Sequence, residues 1–119
     1  MTTADIVTAA AAVKAAIDAT EVDWGQLPFF VRPLVRRGFR QRTGRDVAGW
    51  RTLLDAATRG PIPAELPAAL DALIDHWRTA PERARKGMAG SPAQLAMITA
   101  RLAPRIAAAI ALRALVAPR

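Results

Sequence analysis

The sequence predicts an all-α fold: one compact, bundle-like domain of about five helices spanning residues 1–119, with proline kinks in the second and last helices. Three observations predict it. Apolar residues recur every three or four positions through most of the chain, the spacing of a helix with one buried face. Alternating apolar and polar residues of the β kind are absent. Glycine and proline fall between the periodic segments, where helices stop and start. At 119 residues the chain is long enough for a single core without cross-links. Much of its apolar content is alanine, which favours helix more than it adds core volume.

The first helix is expected over Thr3–Ala19. Thr2 or Thr3 is its N-cap, and Asp5 sits in the first turn, where the helix dipole favours an acid. Ile6, Ala10, Val13 and Ile17 form its inward stripe, and Glu21–Leu27 reads as a connector. The second helix starts near Pro28, and Pro33 either marks its true start or kinks it. Val31, Leu34, Val35, Gly38 and Phe39 fall on its apolar side. Gly44 suits a left-handed C-terminal cap. The third helix is Val47–Arg59, with Asp46 as N-cap and Gly60 as stop. Trp50, Leu53, Leu54 and Ala57 are its core stripe.

The fourth helix is expected over Ala64–Thr79, buried through Leu66, Leu70, Leu73, Ile74 and Trp77, with Pro67 in its first turn. Pro81–Ser91 reads as a basic loop ending in a capping serine. The fifth helix follows to about Val116, with Pro104 inside it and Leu95, Ile98, Leu102, Ile106 and Ile110 inward. Arg101, Arg105 and Arg113 interrupt its apolar run within about 120° of one another, so it reads as amphipathic and no membrane span is expected.

Charge is distributed in blocks. Residues 1–23 carry −3, residues 24–45 carry +6, residues 46–82 carry −3 and residues 83–119 carry +7. The second block is the informative one. Pro28–Arg45 holds Arg32, Arg36, Arg37, Arg40, Arg42 and Arg45 and no acid. Arg32, Arg36 and Arg40 stack at four-residue spacing along one helix edge, and Arg37 widens it. Such charges repel one another until an anion arrives, and nucleic-acid phosphate is the most concrete candidate. Arg83, Arg85 and Lys86 would extend the same surface.

An acidic protein face is a second candidate partner, and self-assembly as a homodimer is compatible with the alanine-rich helix faces. The plainest account needs no ligand: the acidic helices pack beside the basic ones and neutralise them. Phe29 and Phe30 would serve as a base-stacking platform if exposed, but Trp24, Phe29, Phe39 and Trp50 are expected in the core.

Catalytic chemistry is poorly represented. The chain has one histidine, no cysteine and no tyrosine. Asp71, Asp75 and His76 share one helix and mark the weaker alternative of an enzyme pocket, without a complete metal-ligand motif. Ser91 is better explained as a helix cap than as a nucleophile. No glycine-rich phosphate loop is present, so no cofactor is implied. The absence of cysteine makes a cytoplasmic setting the natural expectation, and Met1–Asp5 lacks the basic start of a signal peptide. The run Pro28-Phe29-Phe30-Val31-Arg32, followed by basic residues, resembles a short helical segment of protochlorophyllide-reductase-like domains. The likeness spans a small part of the chain and implies no function. The sequence thus points to a non-enzymatic binding subunit that meets an anionic partner through its arginine strip.

Overall fold

A computed structural model describes residues 3–87 and 91–116, and these form five helices and no strand. They are α1 (Thr3–Gly25), α2 (Arg32–Thr43), α3 (Val47–Arg59), α4 (Leu66–Lys86) and α5 (Pro92–Leu115). α1 packs against α3 on one side and α5 on the other, α5 packs against α4, and α4 carries α2. The two longest helices, of 23 and 24 residues, lie side by side. At about 1.5 Å per residue they set the long dimension of the molecule, which measures 43 × 25 × 20 Å.

The helix ends obey local chemistry. The Asp46 carboxylate accepts from the Gly49 N–H at 2.7 Å and opens α3. Ser91 opens α5 with a reciprocal capping box to Gln94. Gly44 closes α2 at φ 83°, and its N–H reaches the Arg40 carbonyl. A side chain there would be strained, which is why glycine ends this helix. The N-cap expected at Thr2 or Thr3 lies outside the residues whose side chains are described.

The core contains the expected stripes of α1, α3 and α4: Ala10, Val13 and Ile17, then Trp50, Leu53 and Leu54, then Leu66, Leu70, Leu73 and Trp77. Trp24 and Phe39 meet edge-on at 5.2 Å. The Trp50 indole donates to the buried Thr43 hydroxyl at 3.0 Å, and that hydroxyl in turn donates to the Phe39 carbonyl. A large aromatic is thus buried with its polar atom paired.

Several boundaries differ from expectation. Glu21–Gly25 belongs to α1 rather than to a connector, because Glu21 and Asp23 are each held in place by arginines of other helices. α2 begins at Arg32 with Pro33 in its first turn, so Pro33 marks a start and not a kink. α4 runs on through Pro81 to Lys86, and the segment 81–86 is helix rather than loop. Pro81 cannot donate to a carbonyl one turn back. Arg83 reaches back across this turn and donates to the His76 carbonyl at 2.8 Å. Residues 88–90 of the expected loop lie outside the described ones.

Burial differs too. Phe29 is 79% exposed and Leu34 is 66% exposed, against an expectation of core. Phe29 lies in the connector between α1 and α2 and Leu34 in the first turn of α2. Ile110 is also exposed, and the true inward face of α5 is Leu102, Arg105, Ala109 and Leu112. By length and composition α5 is apolar enough to cross a membrane, with a mean hydropathy of 1.6 in its most apolar window, of which 22% is buried. Its three arginines pair with acids of α1 and α4.

Candidate functional site

The arginine strip divides into three parts. The first part is structural. Arg32 donates to the carbonyls of Gly25 (2.8 Å) and Leu27 (2.9 Å), clamping the turn between α1 and α2. Arg36 pairs with Glu21 at 3.2 Å and lies over the Trp24 ring, 5.3 Å from its centroid. Arg51 of α3 joins the same cluster, reaching Asp18 at 2.6 Å and Glu21 at 3.0 Å. Its hydrogen bond holds the Glu21 carboxyl below the usual carboxylate range. Asp18, Glu21 and Asp23 of α1 are thus paired with arginines of α2, α3 and α5, as the ligand-free account of the charge blocks expects. Exposed pairs of this kind contribute about 0–1 kcal/mol each.

The second part is open. Arg37 and Arg40 are exposed and meet no acid among the described residues. With Arg36 they line a surface depression of about 610 Å³ that also touches Trp24, Gln41 and Asp46. Arg45 lies just past the end of α2, half-buried, and pairs with no acid among the described residues. Phe29 and Phe30 precede the helix, exposed by 79% and 67%, with ring centroids 5.8 Å apart in an edge-on arrangement.

The third part, Arg42, is exposed and leans toward α4. Gly38 leaves room for its guanidinium: a β-carbon at Gly38 would lie 2.5 Å from Arg42 Nη1. There it meets Arg83 and His76 across a cleft of about 310 Å³ between α1, α2, α4 and α5. Arg101 and Arg105 line the same cleft from α5. Arg105 is buried, pairing with Asp23 at 2.9 Å and donating to the Thr20 hydroxyl at 3.1 Å. Arg101 reaches Asp23 at 3.7 Å. Sequence reasoning placed Arg101 and Arg105 on the polar face of an amphipathic helix and missed that they converge with Arg42. Only the packing of four helices brings them together.

His76 is buried beneath Phe39, with the rings edge-on at 5.2 Å. Its Nδ1 lies 3.2 Å from Arg83 Nη2, so the ring is neutral and accepts at that nitrogen. Burial, then the charges of Arg83 and Arg42, push its pKa down to about 3. Burial, then Arg42, also pulls the Arg83 guanidinium below its ordinary value.

The remaining expected site residues scatter. Arg83 belongs to the cleft, Arg85 pairs with Glu82 in its own helix, and Lys86 is exposed at the end of α4. Asp71 is exposed and pairs with Arg113 at 2.9 Å, and neither Asp71 nor Asp75 lines the cleft that His76 borders. The three therefore do not converge, because Asp71 and Asp75 occupy the outer face of α4 and His76 the inner. No cluster of three or more metal-ligating side chains occurs among the described residues. In comparisons with known proteins, no family model, no curated protein and no solved structure matches this chain.

Proposed function

We propose that the protein is a small, non-enzymatic helical module that binds single-stranded nucleic acid along α2. Arg37 and Arg40, with Arg45 beyond the helix end, contact phosphates. Phe29 and Phe30 offer ring faces and edges on which unstacked bases rest. The observation that carries this reading is the pairing of two exposed phenylalanines with arginines that no internal acid neutralises. A solvated charge strip explains the arginines alone, but gives no reason to leave two large aromatics in water. A basic groove beside aromatic rings is the usual arrangement for single strands, in which backbone charge supplies affinity and stacking adds about 1–3 kcal/mol per base.

The test is fluorescence anisotropy with labelled mixed-sequence single-stranded DNA and RNA over a range of salt. Arg32 and Arg36 hold the fold together, so the informative pair is Arg37→Gln with Arg40→Gln. Affinity is expected to fall with salt, and the double variant is expected to flatten the slope of log K against log salt by about 1.4. Phe29→Ala and Phe30→Ala are each expected to weaken binding about tenfold. No binding at low salt overturns the proposal. In that case the exposed Phe29, Phe30 and Leu34 patch stands as a contact with another protein or a second copy, and sedimentation of wild type against Phe30→Ala decides between a dimer and a foreign partner.

A further inference from the structure

The cleft between α1, α2, α4 and α5 is separate from the outer strip, and its lining is unusual. Four guanidiniums, Arg42, Arg83, Arg101 and Arg105, border it against a single carboxylate, Asp23. That carboxylate is already engaged by Arg105 and Arg101. His76 on the same wall is neutral and adds no negative charge. Arg42 has no hydrogen-bond or acidic partner among the described residues, and Arg83 spends its bonds on the neutral groups of Thr79 and His76. Like charges gathered around one recess repel one another until an anion enters, although water screens the exposed Arg42 and Arg101 in part. Apart from Thr20, the remaining wall is apolar and includes Leu27, Val35, Trp77, Ala80, Ile98 and Leu102.

We infer that this cleft is a binding site for a small organic anion, an oxyanion headgroup (carboxylate or phosphate) carried on a compact apolar body. Arg42 and Arg83 hold the headgroup, with bidentate geometry open to each guanidinium. The apolar wall covers the body. The volume, about 310 Å³, lies at the lower end of the range for small-molecule sites and admits one aromatic ring or a short chain. Its arginines are not those that line the outer depression, although both recesses touch Trp24.

The chain has a single histidine, which gives a direct readout. His76 is faced by Arg83 of its own helix and by Arg42 of α2, while Arg101, Arg105 and Asp23 lie across the cleft, and Asp75 on the outer face of α4 acts on Arg83. The full chain is titrated with phenyl phosphate, benzoate, inorganic phosphate and neutral benzyl alcohol while the His76 ring resonances are followed by NMR. Phenyl phosphate or benzoate is expected to shift them saturably below about 10 mM, and to raise the His76 pKa by offsetting the Arg42 and Arg83 charges. The two headgroups also distinguish a carboxylate ligand from a phosphate ester. Arg42→Gln, which breaks no internal ion pair, is expected to weaken binding about tenfold. Arg78→Gln, an exposed change on α4, serves as the control for charge alone. Inorganic phosphate is expected to bind more weakly than phenyl phosphate, since it leaves the apolar wall bare. The inference is overturned if neither organic anion shifts His76, if benzyl alcohol shifts it equally, or if Arg42→Gln binds as well as Arg78→Gln.

Discussion

His76 carries the sharpest residue-scale consequence. A histidine whose folded pKa is about 3 binds fewer protons than the same residue in the unfolded chain, where the value is about 6.5. The unfolded state therefore gains stability from protonation as pH falls through that window. Net stability is full above about pH 6.5 and declines toward pH 3, by a total on the order of 4 kcal/mol. Chemical denaturation at a series of pH values is expected to show this decline in wild type and a much flatter line in His76→Gln. An equal slope in both would place the proton uptake elsewhere. The effect was invisible in the sequence, where His76 is merely a polar residue beside Trp77. Phe39, which covers it, and Arg42 come from α2, distant in the chain, while Arg83 lies two turns along its own helix.

At the scale of elements, α5 shows how helices are joined. Its inward face places an arginine, Arg105, among the buried Leu102, Ala109 and Leu112. Arg105 crosses to Thr20 and Asp23 of α1, while Arg113 crosses to Asp71 of α4. Arg105→Met keeps the stem packing and removes the charge, leaving Asp23 with only the longer Arg101 pair. Thermal or urea unfolding is expected to report a loss of about 2 kcal/mol. Most of that loss is expected to vanish in the background of Asp23→Asn, because the stranded carboxylate is then gone. Two full independent losses would mean that the pair is not coupled.

The whole molecule is governed by its charge balance. Its ten acids are spread over α1, α3, α4 and the helix ends, and seventeen Lys and Arg side chains exceed them. Glu21, Asp55 and Glu82 all have carboxyls held below their ordinary values by neighbouring bases, Arg51, Lys14 and Arg85 first among the causes. For such groups the stabilising interaction is present above the unfolded pKa and is lost as pH falls through the folded one. Glu82 is exposed and Glu21 and Asp55 are half-buried at the surface, so each loss is small. The larger effect is that protonating the acids leaves the bases unopposed. Below about pH 4 the melting temperature is expected to drop steeply at low ionic strength and to recover partly when salt shortens the Debye length to about 8 Å. A melting temperature insensitive to salt at that pH would count against repulsion as the cause.

The sequence by itself determined the five helices, their caps at Asp46, Gly44 and Ser91, and the core stripes of α1, α3 and α4, because capping and periodicity are settled within a few turns of chain. It also marked the arginine strip, since a run of like charge is a property of neighbours in sequence. It did not determine where α1 and α4 end, because Pro81 and the acidic end of α1 are held by side chains that reach across turns and helices. Only the tertiary structure decided which arginines are spent on the fold and which stay open, and that Phe29 and Leu34 lie in solvent. It alone assembled the cleft, from Arg42, Arg83, Arg101 and Arg105. Whether a guanidinium finds an acid depends on which helix packs beside it, and helix packing is a matter of distance in space, on which spacing along the chain is silent.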